Sequence, residues 1–215
     1  MDIKEISQVG KQVLQNKKAL ILGISINNSY FKEENLTKLL LWATENASSV
    51  YVMIPDEPAV HTLMALGKSE SEAVKIARSK SNNLENKCLA IVQNHKLPPV
   101  TIVRWVMIAN NEHYLRALEI IRQAYVDFDF FAKEVHATTL NVLKHAGFEN
   151  PTDEQMRNGL EFLFKELAFI THSDLVLGQE KTAYVYHSTM KVLNNLIEGQ
   201  YTFFKTEGVG FITAE

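Results

Sequence analysis

The sequence contains a single cysteine, Cys88, among its 215 residues. One thiol cannot form an intrachain disulfide, and it cannot supply the cysteine clusters of structural zinc sites. The chain also lacks an uninterrupted apolar run of about 18 residues, the length that crosses a bilayer, and its first residues do not resemble a signal peptide. We therefore expect a protein of the reducing cytoplasm that does not contact a membrane.

Neither sign of charge dominates the sequence, in which 22 Lys and Arg oppose 25 Asp and Glu for a formal net charge of −3. This balance excludes a protein-wide positive field, so any polyanion must bind a local patch. The basic residues Lys75, Arg78 and Lys80 are closely spaced in the chain. Glutamates in the same stretch dilute their charge, so a solvated helix face and a phosphate-binding track both remain open.

Several motifs of common enzyme classes are also absent. There is no Walker lysine loop and no Gly-x-Gly-x-x-Gly, which argues against binding of nucleoside triphosphates and dinucleotides. The sequence has seven histidines, but no pair shows the His-Glu-x-x-His spacing of a zinc enzyme. We therefore expect neither a metal nor a cofactor.

What the sequence does contain is an alternation of short apolar runs and helical patterns. Such alternation predicts an α/β fold with a mainly parallel sheet flanked by helices. The predicted strands are 17–25, 48–56, 98–108 and 182–188, with a closing strand or hairpin in 200–213. The predicted helices are 32–47, the first part of 69–95, one or two helices in 111–147, and 152–170.

The first of these strands ends at Gly23-Ile24-Ser25. Ligands of open parallel sheets bind beyond the carboxyl ends of the strands, and Gly23 would let another group approach the backbone closely. Ser25 is therefore either a nucleophile or an ordinary turn residue. A serine hydrolase is a weaker alternative, because the sequence has no Gly-x-Ser-x-Gly motif and does not identify a histidine partner.

Three blocks of the chain resemble the cyclodipeptide synthase family, and together they span most of its length. The first is LILGISINNSYF, in which Gly-aliphatic-Ser is followed by Asn-Ser-Tyr-Phe; the second is VMIPDEPAVHTLMALG. The third places Glu166 20 residues before the pair Tyr186-His187. With Asn28, this pair is similar to the Asn/Tyr/His subgroup. The resemblance implies one Rossmann-like domain over 1–215, related to class I tyrosyl- and tryptophanyl-tRNA synthetases.

The resemblance also implies a reaction, in which two aminoacyl-tRNAs yield a cyclic dipeptide without ATP. The absence of the synthetases' His-x-Gly-His and Lys-Met-Ser-Lys-Ser signatures agrees with this expectation. The implied partners are two aminoacyl-tRNAs. If the basic stretch is a phosphate-binding track, their phosphates would contact Lys75, Arg78 and Lys80. We expect a monomer that needs no metal.

Residue roles follow from the resemblance position by position. Ser25 corresponds to the nucleophile that accepts the first aminoacyl group. Glu166 would hold the substrate α-ammonium, and Tyr186 would relay a proton. Asn28 would hold the substrate backbone, and His187 would titrate near neutral pH. Each role has a structural alternative: Glu166 could be the polar edge of a helix, Tyr186 and His187 could serve packing, and Asn28 could serve a turn.

Two positions depart from the family pattern. Phe162 stands where the family has a tyrosine that binds the aminoacyl amine, and Ala168 stands where it has proline. These departures leave open both an active synthase and a non-catalytic tRNA-binding relative. By position, Ile21, Gly23 and Met53 would line the pocket for the first side chain.

Overall fold

A six-stranded sheet forms the centre of the structure, a computed structural model that describes residues 1–26, 28–201, 203–204 and 206–215. Within these ranges the strand order is β1-β6-β5-β2-β3-β4. The edge strand β1 runs antiparallel to β6, and the other pairs are parallel. The strands are β1 (Ile3–Ile6), β2 (Ala19–Gly23), β3 (Ser49–Ile54), β4 (Thr101–Arg104), β5 (Thr182–Tyr186) and β6 (Val209–Ala214).

Helices cover both faces of this sheet. Alternate strand residues therefore enter two separate cores, as in sheets buried on both sides. This arrangement confirms the predicted α/β class. The helices of the described ranges are α1 (Gln8–Gln15), α2 (Glu33–Asn46), α3 (Pro58–Ala65), α4 (Glu70–Asn94), α5 (Trp105–Ile108), α6 (Glu112–Asp127), α7 (Asp129–His145), α8 (Asp153–Thr171), α9 (Ser173–Val176) and α10 (Lys191–Ile197).

The strand order reverses direction next to β2. From β2 the chain moves outward to β3 and β4, and it later returns to place β5 and β6 on the other side of β2. Such a switch point opens a crevice at the carboxyl ends of the two central strands. The segments that follow β2 and β5 therefore meet at one edge of the sheet.

Helix α8, which covers this crevice, begins where the sequence predicts. Thr152 is its N-cap: the Thr152 Oγ1 accepts from the Gln155 N–H at 3.2 Å, and the Gln155 Oε1 accepts from the Thr152 N–H at 2.9 Å. This capping box satisfies two backbone donors that the first helical turn leaves free. Gln155 also donates to the Ala65 carbonyl at 3.0 Å, which ties α8 to α3.

The predicted strand 98–108 is wrong in its second half. Strand β4 ends at Arg104, and the next four residues form the short helix α5. Asp56 causes the turn, because its two carboxylate oxygens accept from the Arg104 Nε and the Trp105 N–H, both at 2.9 Å. These bonds turn the backbone away from the strand direction at Arg104 and Trp105, so β4 ends there.

The remaining differences from the predicted elements concern the length of the helices and the number of helices and strands. The segment 111–147 forms two helices, α6 and α7, and α4 continues through Asn94 rather than ending early. In 200–213 the structure has strand β6, while Thr202 and Lys205 lie outside the described residues. Strand β1 and helices α1, α3, α9 and α10 have no counterpart among the predicted elements. No helix in the described ranges combines the length and apolarity that crossing a membrane requires.

Candidate active site

A cavity of about 350 Å³ opens at the carboxyl ends of β2 and β5. Helices α3, α7, α8 and α10 contribute its walls, and most of the lining side chains are apolar, among them Ile24, Leu143, Leu163 and Leu193. A few polar groups converge in these apolar walls, which is the usual composition of a small-molecule site.

Ser25 lies at the edge of this cavity, two residues beyond the end of β2. Its side chain and that of Asn28 are hydrogen-bonding partners of the Tyr186 hydroxyl. Burial, together with the charge of Glu166, raises the pKa of Tyr186 to about 12. The phenol is therefore protonated at neutral pH and can donate a hydrogen bond to the serine oxygen.

Asn28 fixes the orientation of His187. The Asn28 Oδ1 accepts from the Tyr30 N–H at 2.9 Å, so its Nδ2 faces the His187 Nε2 at 2.6 Å. An amide nitrogen donates only, so Nε2 is the acceptor and Nδ1 carries the proton of the neutral ring. The Tyr30 ring stacks on the imidazole at 4.5 Å, and burial lowers the pKa of His187, which favours this neutral form.

A bend after β5 sets the direction of the His187 side chain. In a regular strand His187 would point away from Tyr186, but β5 ends at Tyr186 and the chain bends immediately afterwards. Both side chains consequently line the same cavity. Tyr184, two residues before Tyr186, is on the same face of β5 and also lines the cavity.

Glu166 and Phe162 project into the cavity from one face of α8, as their spacing predicts. Glu166 keeps part of its surface open to the cavity, although protein atoms surround it densely. Burial raises the pKa of its carboxyl to about 7. A carboxyl of this kind exchanges a proton readily near neutral pH, which suits a general acid or base.

Gly23, Ile21 and Met53 do not reach the cavity. Ile21 and Met53 are fully buried in the core, and the ring of Tyr184 covers Gly23. A Cβ on Gly23 would lie 2.1 Å from the Tyr184 hydroxyl oxygen, so only glycine fits beneath this ring. The group that approaches Gly23 closely is therefore Tyr184 and not a ligand. Gly23, Ile21 and Met53 form the layer behind the cavity wall.

Thr139 of α7 is a cavity residue that the sequence did not reveal. It is 3% exposed, and its hydroxyl has no hydrogen-bond partner among the described residues. Its neighbour Thr138 donates to the carbonyl of Glu134 one turn earlier, which is the usual bond of a helical threonine. The Thr139 methyl group instead packs over Gly159 of α8.

The three candidate tRNA contacts lie elsewhere, on α4. Lys75, Arg78 and Lys80 are all exposed, and Lys75 and Arg78 form no hydrogen bond or ion pair with described residues. No group of three or more metal-ligating side chains suited to an ion occurs within the described ranges.

Comparisons with known proteins find cyclodipeptide synthases that are similar to this chain over most of its length. A cyclo(L-leucyl-L-leucyl) synthase of Staphylococcus haemolyticus is 25% identical over 94% of this chain and 89% of its own length. The structure of a cyclodipeptide synthase from the same organism superposes with a TM-score of 0.86 at 23% identity, over 100% of both chains.

The fold also extends to the synthetases. The tyrosyl-tRNA synthetase of Archaeoglobus fulgidus matches 99% of this chain and 60% of its own with a TM-score of 0.61 at 12% identity, which indicates a shared Rossmann-like fold. A sequence model of cyclodipeptide synthases matches residues 1–214. The chain therefore belongs to the cyclodipeptide synthase family.

Proposed function

We propose that this protein joins two aminoacyl groups, taken from two aminoacyl-tRNAs, into a cyclic dipeptide through a covalent intermediate on Ser25. The observation that carries the proposal is the convergence of Ser25, Asn28, Glu166, Tyr186 and His187 on one largely apolar cavity. The synthetase-like fold supports tRNA-bound substrates, because it is a fold that handles aminoacyl groups.

The first step is an ester exchange. The Ser25 oxygen attacks the carbonyl of the aminoacyl ester, its proton leaves, and the tRNA ribose oxygen departs with a proton. The new ester has a free energy of hydrolysis similar to that of the old one, so no ATP is consumed. The Tyr186 hydroxyl, which is neutral at working pH, would stabilise the serine oxygen as its charge changes.

Two aminolysis steps follow. The α-amine of the Ser25-bound aminoacyl group attacks the ester of the second aminoacyl-tRNA, which forms a peptide bond and releases the second tRNA. The new terminal amine then attacks the Ser25 ester, closing the ring and freeing the serine. Each amine must first lose a proton, and Glu166, with a pKa of about 7, is suited to accept it.

The apolar walls favour apolar aminoacyl side chains. Because relatives of this chain are cyclo(L-leucyl-L-leucyl) synthases, leucyl-tRNA is the first substrate to test. We expect wild-type protein incubated with radiolabelled leucyl-tRNA, within a panel of aminoacyl-tRNAs, to carry a covalent label and release a cyclic dipeptide detectable by mass spectrometry. Ser25→Ala should abolish both, because no other side chain would take over as nucleophile.

A matched control is Ser188→Ala, which removes a hydroxyl from the same cavity without touching the proposed nucleophile. Labelling of Ser25→Ala at the wild-type level would place the nucleophile elsewhere. Wild-type protein that binds tRNA but neither labels nor forms product with any member of the panel would be a non-catalytic relative.

A further inference from the structure

Tyr184 presents an unused hydroxyl to the cavity. The residue is 4% exposed, and its ring is held between Phe169 and Phe211, with centroid distances of 6.5 and 6.1 Å. Its hydroxyl lies directly over Gly23, two residues before Ser25. The neighbouring rings and the strand therefore fix this oxygen over the end of β2, in the cavity that Ser25 also lines.

A buried tyrosine hydroxyl normally has a hydrogen-bond partner. Tyr51 accepts from the Gln179 Nε2 at 3.0 Å, and Tyr114 accepts from the Trp105 Nε1 at 3.1 Å. No described residue forms a hydrogen bond with the Tyr184 hydroxyl, although Tyr184 lines the cavity. The missing partner is therefore a group that the cavity would receive.

Glu166 indicates what kind of group this is. Glu166 on α8 and Tyr184 on β5 line the same cavity. After burial, the charge of Glu166 is the next cause that raises the pKa of Tyr184. An ammonium has three N–H donors, more than one carboxylate oxygen satisfies. A carboxylate beside a neutral hydroxyl oxygen is accordingly a suitable receptor for an α-ammonium group.

Two other aromatic residues can be compared with Tyr184. Phe162 faces the cavity from α8 but has no hydroxyl. Tyr30 has one, but it donates to the Ala214 carbonyl at 3.4 Å while its ring stacks on His187. Tyr184 thus combines a position in the wall with a free hydroxyl in the cavity that Glu166 also lines.

We propose that the Tyr184 hydroxyl accepts a hydrogen bond from the substrate α-amino group, supplying from β5 the contact that Phe162 cannot provide from α8. The inference rests on the proposed function, because the ligand is the amine of an aminoacyl group. It makes Tyr184 a substrate-binding residue that acts together with Glu166.

The test measures the rate of covalent labelling as kcat/KM for leucyl-tRNA, or for the panel member that labels best. Tyr184→Phe removes the hydroxyl and keeps the ring, and we expect kcat/KM to fall about ten- to a hundredfold, the range for a hydrogen bond to a charged group. Tyr51→Phe is the matched control, since it removes a strand tyrosine hydroxyl outside the cavity.

Two further measurements separate amine binding from packing. With the desamino analogue of the same aminoacyl-tRNA, Tyr184→Phe and wild type should label equally fast. Adding Phe162→Tyr to Tyr184→Phe should restore most of the lost kcat/KM, because a hydroxyl returns to the cavity from α8. The factor by which Phe162→Tyr raises kcat/KM should be about tenfold larger in the Tyr184→Phe background than in wild type. Thermal melts of each variant check folding, and Tyr184→Met is a second hydroxyl-free variant.

An unchanged kcat/KM in Tyr184→Phe, or an equal loss with the desamino analogue, would overturn the inference while the proposed function stands. Wild-type protein that labels with no aminoacyl-tRNA would overturn the proposed function, and the inference with it.

Discussion

At the scale of single residues, the burial of Glu166 in the cavity makes the stability of the protein depend on pH. Its pKa is raised from 4.5 to about 7 in the folded protein by burial. Between these two values the folded state binds more protons than the unfolded state, so the free energy of unfolding falls as the pH rises. Below about pH 4.5 both states are protonated and the penalty disappears.

This linkage predicts the behaviour of Glu166→Gln. The variant should gain stability relative to wild type as the pH rises from 5 to 8, by about 1–3 kcal/mol, because glutamine has no charge to bury. Urea unfolding at several pH values measures the difference. Glu119→Gln on the exposed face of α6 is the control and should show no such trend. A pH-independent difference for Glu166→Gln would mean that its carboxyl titrates normally.

Sequence reasoning reaches some of these residues and not others. The resemblance indicates Ser25, Glu166 and Tyr186 because they stand in matching motifs. It does not reveal the free hydroxyl of Tyr184, whose position depends on the parallel register that pairs it with Ile21 of β2. More than 160 residues separate these two positions, and no local pattern encodes which groups such a pairing leaves without a partner.

At the scale of elements, the contact between α7 and α8 shapes the far end of the cavity. Gly159 and Glu166 are seven residues apart on α8, or about 10 Å along its axis. A Cβ on Gly159 would lie 2.6 Å from the Thr139 methyl group, which is stiff because threonine is β-branched and buried here. The glycine therefore lets the two helices close over the cavity.

Gly159→Ala should destabilise the protein by about 1–2 kcal/mol, because the clash outweighs the better helix propensity of alanine. In a Thr139→Ser background, which lacks the methyl group, the same change should stabilise by up to about 1 kcal/mol. Chemical denaturation of the four proteins of this cycle measures the reversal of sign. A destabilisation of equal size in both backgrounds would show that the methyl contact does not set the spacing.

The ends of strands and helices show where the hydrophobic pattern of the sequence no longer predicts an element boundary. The run of apolar residues at 98–108 has the composition of one strand, yet the chain turns at Trp105 because Asp56, 49 residues earlier, accepts its N–H. By contrast, the start of α8 is predictable because Thr152 and Gln155 cap it locally. Boundaries set by neighbouring residues can be read from sequence, whereas those set by tertiary hydrogen bonds cannot.

At the scale of the whole molecule, the cavity and the candidate tRNA contacts lie on different elements. The cavity lies at the switch point of the sheet, while Lys75 and Arg78 project from α4, which packs against α2 and α3. The net charge of −3 gives no general attraction for a polyanion, so binding depends on where the positive charges lie. The exposure of Lys75 and Arg78 fits both a phosphate track and a solvated face.

Salt dependence distinguishes these two roles. Each phosphate contact that is lost should reduce the slope of log affinity against log salt concentration by about one. If both residues contact phosphates, Lys75→Ala with Arg78→Ala should weaken tRNA binding and flatten the slope by about two. The pair Lys11→Ala with Lys144→Ala removes the same charge from other surfaces, so it should leave the slope near the wild-type value. Equal slopes for all three proteins would show that Lys75 and Arg78 form a solvated face of α4. The tRNA would then have to reach the cavity along another surface.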